Sequence, residues 1–148
     1  MVDVADIPEY NRKLIEEFRA TRDQPGGPLP GRALLLLTTT GARTGQRRTT
    51  PMMYMPDGDR LLVFASNAGA PRHPDWYHNL VAHPQVTVEV GAETYDARAV
   101  VPTGAERERL WARAVESYPF FGEHQAQVTR TIPVVILERR VNPPDRGA

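Results

Sequence analysis

Cysteine is absent from the 148 residues, which excludes disulfides, thiolate metal sites and cysteine nucleophiles. No apolar run approaches the roughly 20 residues that a membrane-spanning helix requires. The N-terminal MVDVADIPEY lacks the apolar segment of a secretory signal, so a cytoplasmic location is the expectation. Net charge is also missing: 18 basic residues balance 18 acidic ones. Nucleic-acid binding driven by a general positive field is therefore not expected. Several motifs that announce a chemistry do not occur. There is no G-x-S-x-G elbow, no H-E-x-x-H, no phosphate-binding loop ending in Lys-Ser/Thr and no G-x-G-x-x-G. The carboxylates fall mostly on helix faces and turns, and none forms a distinctive catalytic pair.

His73, His78 and His83 are evenly spaced. On a helix, however, residues five apart point about 140° away from one another, so they share no face. No metal site is expected. With 41% hydrophobic and 24% charged residues, the chain reads as one globular domain large enough to bury a core.

One absence is local. Between Asp23 and Asp57 there is no acidic residue, while arginines stand at 32, 43, 47 and 48. Within this stretch the apolar run 34–37 passes into threonines 38–40, which reads as a buried strand. A glycine-bounded turn, 41–45, follows, and then a basic, β-branched run leads to Pro51. A loop held by rigid strands is a common seat for binding groups. Backbone amides, hydroxyls and guanidinium forks together can hold a phosphate or carboxylate. From the loop alone, an anion site and an ordinary hairpin with solvated arginines stand side by side.

The remaining pattern builds an antiparallel domain. Asp6 and Glu9 have capping-box spacing, and Ile7, Tyr10, Leu14 and Phe18 recur at helical intervals to about residue 22. This amphipathic helix is expected to dock on the domain, with peripheral membrane contact as its other use. The proline- and glycine-rich 24–31 reads as a linker. Strands are expected at 32–39, 49–55, 60–65, 85–90, 93–101 and 132–139. Helices are expected at 75–82, at 104–117 behind a second capping box (Thr103 and Glu106), and at 123–129. Six strands, mostly in hairpins, with short helices between them imply an α+β fold or small barrel. The expected organisation is a helix and linker at 1–29, a barrel domain at 30–140, and a disordered tail at 141–148.

With triads and metals set aside, cofactor chemistry remains: a redox cofactor brings its own reactivity, and the protein supplies binding and orientation. Four blocks then match a known pattern: TTTGARTGQRRTTPMMYM, VFASNAGAPRHPDWYHNL, SYPFFGEHQ and RTIPVVILE. In this order they resemble the deazaflavin-dependent nitroreductase family of actinobacteria, in register from about residue 30 to residue 138. The resemblance implies a mainly antiparallel split β-barrel of the FMN-binding, flavin-reductase-like type with short flanking helices. It implies coenzyme F420 as cofactor, with FMN as the alternative. The expected activity is hydride transfer from the reduced deazaflavin to a small electron-poor acceptor: an enone, a quinone or a nitro compound. An FMN-dependent reductase and a non-catalytic deazaflavin-binding protein are the rival readings.

Residue roles carry over on the same basis. Arg43, Thr44, Gly45 and Arg48 would hold the cofactor phosphate and tail, and Pro51, Met52 and Met53 would lie along the deazaflavin. Ser66, Asn67, Ala68 and Gly69, with Trp76, Asn79 and Leu80, would complete the cradle. Tyr118, Phe121 and His124 would line the acceptor pocket, with Tyr118 and Ser66 as proton donors or orienters. The chain also departs from the characterised nitroreductase, which has lysine at the position of Asn67, tyrosine at that of Met53, and tyrosines at those of Phe121 and His124. Cofactor binding is expected to survive these changes; nitroimidazole reduction is not assumed. Nothing in the pattern sets an oligomeric state.

Overall fold

The computed structural model describes residues 7–22 and 34–140. Asp6, the expected linker at 24–31 and the expected tail at 141–148 lie outside the described residues. In chain order the elements are α1 (Ile7–Thr21), β1 (Leu34–Thr40), β2 (Arg47–Met53), β3 (Met55–Asp57), β4 (Arg60–Phe64), α2 (Asp75–Ala82), β5 (Gln85–Val90), β6 (Glu93–Val100), α3 (Gly104–Ser117), α4 (Phe120–Ala126) and β7 (Val134–Arg139). A single 3-10 turn, Asn67–Gly69, lies between β4 and α2. Among the described residues, no helix is long and apolar enough to cross a membrane.

The seven strands hydrogen-bond in the order β2-β1-β5-β6-β7-β4-β3, every pair antiparallel. The two edge strands of that list are adjacent in the chain, separated by Tyr54 alone. Met53 pairs with Leu34 of β1, whereas Met55 pairs with Leu62 of β4. Two residues of chain reach at most about 7 Å, so the edges must meet and the sheet closes into a barrel. This is the split β-barrel that the resemblance implies.

Strand alternation divides the apolar residues between two clusters. Leu61 and Val63 of β4, with Val135 and Leu137 of β7, belong to one cluster with Leu35, Leu37, Val86, Val88, Ala97 and Ala99. Leu80, Trp76 and Tyr77 of α2 pack against this cluster. The intervening residues Leu62, Phe64, Val134 and Ile136 form a second cluster with Leu110 and Ala114 of α3 and Phe121 of α4.

Helix α1 covers another part of the sheet. Phe18 is fully buried, as is Leu36, the cross-strand partner of Glu89. Glu89 is itself buried and accepts from Arg19 Nη2 at 2.8 Å and from Arg22 Nη1 at 3.0 Å. Arg22 also donates to the carbonyls of Gly91 and Glu93, at 3.1 and 2.6 Å. One carboxylate thus ties Arg19 of α1 and Arg22, just past its end, to the β5–β6 hairpin.

Four expectations need correction. The second expected strand is two elements, because pairing moves from β1 to β4 at Tyr54. Thr103 occupies the N-cap of α3, but its side chain makes no capping hydrogen bond. Helix α4 begins at Phe120, not 123: Pro119 has helix-compatible φ −56° and ψ −23°, and burying Phe121 outweighs the break that its flanking proline and glycine suggest. The last strand starts two residues late, at Val134, since Pro133 offers no ladder N–H.

Replacing Glu89 with alanine removes the carboxylate that α1 is held by and leaves Arg22 short of a partner. Denaturant unfolding is expected to show a loss of about 2 kcal/mol, with faster proteolysis within residues 7–22. Wild-type stability and protection would show that the ion pairs do not anchor α1.

Candidate active site

The β1–β2 connection is built to present backbone and guanidinium groups. Gly41 N–H donates to Gln46 O at 2.8 Å and Gly45 N–H to Gly41 O at 2.9 Å. Gly45 sits at φ +71°, a left-handed conformation that costs glycine little and a side-chain-bearing residue more. Asn79 braces the turn from α2: its Oδ1 accepts from Ala42 N–H at 3.0 Å, and its Nδ2 donates to Thr39 Oγ1 at 3.2 Å. Only 8% of Asn79 is exposed, so both ends of the amide are committed to holding the loop.

Between this loop and the first turns of α2 lies an open cavity of about 740 Å³, lined by Gly41, Ala42, Arg43, Thr44, Arg48, Arg72, Asp75, His78 and Asn79. Arg43, Arg48 and Arg72 have no acidic partner within salt-bridge distance among the described residues. The Arg43 and Thr44 amides find no acceptor among the described residues. Three cations, Asp75 and two open amides leave a net positive, donor-rich cleft. Its chemistry fits a phosphodiester carrying an anionic tail.

The other expected cradle residues do not line this cavity. Pro51 and Met52 on β2 are half-buried and Met53 is exposed. Met52 packs on the barrel cluster beside Trp76. Leu80 is 1% exposed, which makes it a core residue supporting α2 and removes its side chain from contact with any ligand. Ser66 is buried at the end of β4, and Asn67 stands at φ +50° in the following turn. Asn67 Nδ2 donates to Arg72 O at 3.0 Å. Gly69 sits at φ +81°, a left-handed conformation that favours glycine, and lies against the Gln127 and His124 side chains.

Tyr118, Phe121 and His124 gather at the α3–α4 junction, on the opposite side of that turn. Phe121 is 5% exposed and packs its ring 4.7 Å from that of Phe64, a core position. Tyr118 is half-buried, 6.1 Å from the Phe121 ring. His124 is half-buried with its Nδ1 enclosed and unpaired among the described residues. At Gly69 the loop leading to the cavity comes against His124 of α4.

Sequence reading missed Arg72 and Asp75, which only the fold brings to the cavity, and Arg130. The Arg130 guanidinium donates to Ala65 O at 3.1 Å, Ser66 O at 2.9 Å and Ala70 O at 3.1 Å, and meets His73 Nδ1 at 2.9 Å. No acid lies near it in sequence, and no local pattern marks an arginine whose partners are carbonyls some 60 residues away. Burial, with help from Arg130 and His78, lowers the His73 pKa below its ordinary value.

Comparison with known proteins gives the family. A family model described as F420H(2)-dependent quinone reductase matches residues 10–139. An F420H(2)-dependent quinone reductase of Mycobacterium tuberculosis is 42% identical over 127 residues, spanning 83% of this chain and 85% of that protein. A solved F420-H2 dependent reductase, FDR-A, is 42% identical, covers 72% of this chain and 95% of its own, and superposes with a TM-score of 0.66. A solved chain described as a domain-swapped dimer is 37% identical, covers 92% of this chain and 100% of its own, and gives a TM-score of 0.69. With nearly its whole described length matched in sequence and fold, the chain belongs to the F420H(2)-dependent quinone reductase family, oxidoreductases that use coenzyme F420.

Proposed function

We propose that this protein reduces a quinone with F420H2, holding the cofactor's phosphate and anionic tail in the cavity between the β1–β2 loop and α2. The observation that carries the reading is the set of Arg43, Arg48 and Arg72 around about 740 Å³ of open space, with no acidic partner in salt-bridge contact among the described residues. Arg43 and Arg48 bind the anionic groups, the Arg43 and Thr44 amides add neutral donors, and Gly45 lets the turn close. Asn79 positions the loop and is not free to bind a ligand itself. Pro51, Met52 and Met53, with the turn at Ser66–Gly69, flank the ring system.

When bound, the reduced cofactor supplies the hydride; that hydride and one proton take a quinone to its hydroquinone. The chain's own task is to orient the acceptor and deliver the proton, which we assign to Tyr118 Oη with Ser66 as orienter. Phe121 and His124 shape the acceptor side.

Titration with oxidised F420 and with FMN, followed by cofactor fluorescence, tests the cofactor assignment: selective F420 binding is expected, and selective FMN binding would overturn it. Arg43→Ala and Arg48→Ala should each raise the Kd for F420 about tenfold and flatten its dependence on salt. Unchanged affinity in both variants would remove the anion site. Tyr118→Phe should slow quinone reduction by about a hundredfold at an unaltered Kd for F420. Equal rates would dismiss Tyr118 as proton donor.

A further inference from the structure

We propose that Arg130 and His73 form a latch that positions the 65–73 loop, and with it Arg72 and the Ser66–Gly69 turn, for F420 binding, and that the latch holds while His73 is uncharged. The inference rests on the cofactor reading above and concerns residues to which that reading gives no part.

The latch joins two separate connections. One runs from β4 to α2 and carries Ser66 through His73; the other runs from α4 to β7 and carries Arg130. Along the first, Arg130 engages the carbonyls of Ala65, Ser66 and Ala70 together with the His73 ring. Asn67 then secures the carbonyl of Arg72, whose side chain lines the cavity. Arg130 is itself fixed: Gln125 Nε2 donates to Arg130 O at 2.7 Å, and Gln125 Oε1 accepts from Ile132 N–H at 2.9 Å. Arg130 does not line the cavity. It is a positioning residue, acting on the ligand through Arg72 and the turn.

The chemistry sets the protonation state. A guanidinium only donates, so His73 Nδ1 at 2.9 Å must accept, and the ring carries its proton on Nε2. Protonation at Nδ1 would abolish the bond and set two cations against each other. The groups around His73 add no negative charge in contact: Arg130 on one side, and the Tyr77 and His78 rings of α2 at 4.8 and 5.6 Å. Burial and the positive neighbours lower its pKa, so the unfolded chain takes up this proton before the folded one. Stability from this site is thus fully present above the ordinary histidine range. It is lost as pH falls from there through the folded value.

Two measurements test the latch. Long-range 1H–15N NMR of the ligand-free protein should show His73 neutral with its proton on Nε2, and protonating below the ordinary value of about 6.5. F420 binding should then be compared across pH in wild type and His73→Gln, whose side-chain carbonyl accepts from Arg130 at every pH. Any titration on the cofactor itself is common to both proteins. Wild type is expected to lose about tenfold in affinity relative to His73→Gln as His73 protonates. Arg130→Lys, which keeps the charge but not the planar fork, should weaken binding about tenfold at neutral pH and erase that difference.

A His73 proton on Nδ1, identical pH profiles for wild type and His73→Gln, or an affinity that rises on acidification would overturn the latch. If wild type binds no F420 at any pH while the NMR result holds, the cofactor reading falls and takes the latch's link to binding with it. F420 binding together with an ordinary His73 titration would sink the latch alone.

Discussion

The structure depends on one continuous segment, residues 47–57, serving as both edges of the sheet. Its first half pairs with β1 and its second half with β4, and only Tyr54 separates them. Everything near the site inherits its position from that closure. The β1–β2 turn projects from one end of the segment's first half. The β4 strand that leads to Ser66 is registered by the second half. A slip of one residue in either ladder would turn the alternating inner and outer residues over together, so the two loops cannot shift independently while the barrel stays closed. The site is exact because the segment has no slack.

Registered strands still leave the loops between them free to wander, and here each is pinned by one polar side chain reaching across from another element. Asn79 reaches from α2 to Ala42, and Arg130 reaches from before β7 to the carbonyls of residues 65, 66 and 70. Apolar contacts could bury the same surface, but they are non-directional and would not fix the orientation of an amide or a carbonyl. Well-satisfied polar networks rigidify because leaving any member unpaired is costly. Helix α2 gathers these functions within two turns: Asp75 and His78 on the cavity, Asn79 on the loop, and Trp76 and Leu80 on the barrel cluster. Its eight residues would be marginal as an isolated helix; tertiary contacts on three sides hold it in place.

The barrel strands and the glycine-bounded β1–β2 loop were legible in the sequence because their signals are local. The Leu34–Leu37 run, the Val86-Val88-Val90 alternation and the glycines at 41 and 45 each sit within a few residues of what they determine. The short β3 escaped because Met53, Tyr54 and Met55 read as one strand; the change of partner at Tyr54 depends on β1 and β4, far off in sequence. Helix α4 was placed late because Pro119 and Gly122 are local breakers, whereas the burial of Phe121 against Phe64 that favours helix is a tertiary effect. Leu80 was assigned to the cofactor cradle by resemblance, yet its burial makes it a support. Arg130 opens the matched block RTIPVVILE but was given no role there: most of its partners are backbone carbonyls, which leave no mark in residue type.

On the proposed reading, acceptor choice can change while cofactor binding persists. The arginine-lined cavity is made by the β1–β2 loop and α2, whereas Tyr118, Phe121 and His124 sit at the α3–α4 junction, where His124 approaches the 65–73 loop at Gly69. Phenylalanine at 121, where the resembled nitroreductase has tyrosine, removes a hydroxyl that this buried position would have to satisfy. Histidine at 124 has its Nδ1 enclosed, which leaves Nε2 as the ring nitrogen through which it can act. Two of three phenolic groups are thus replaced by one apolar ring and one imidazole with a single working nitrogen. On the proposed reading, this junction has fewer donors to offer a nitro group, and Tyr118 is the phenol left for a carbonyl acceptor that needs one proton.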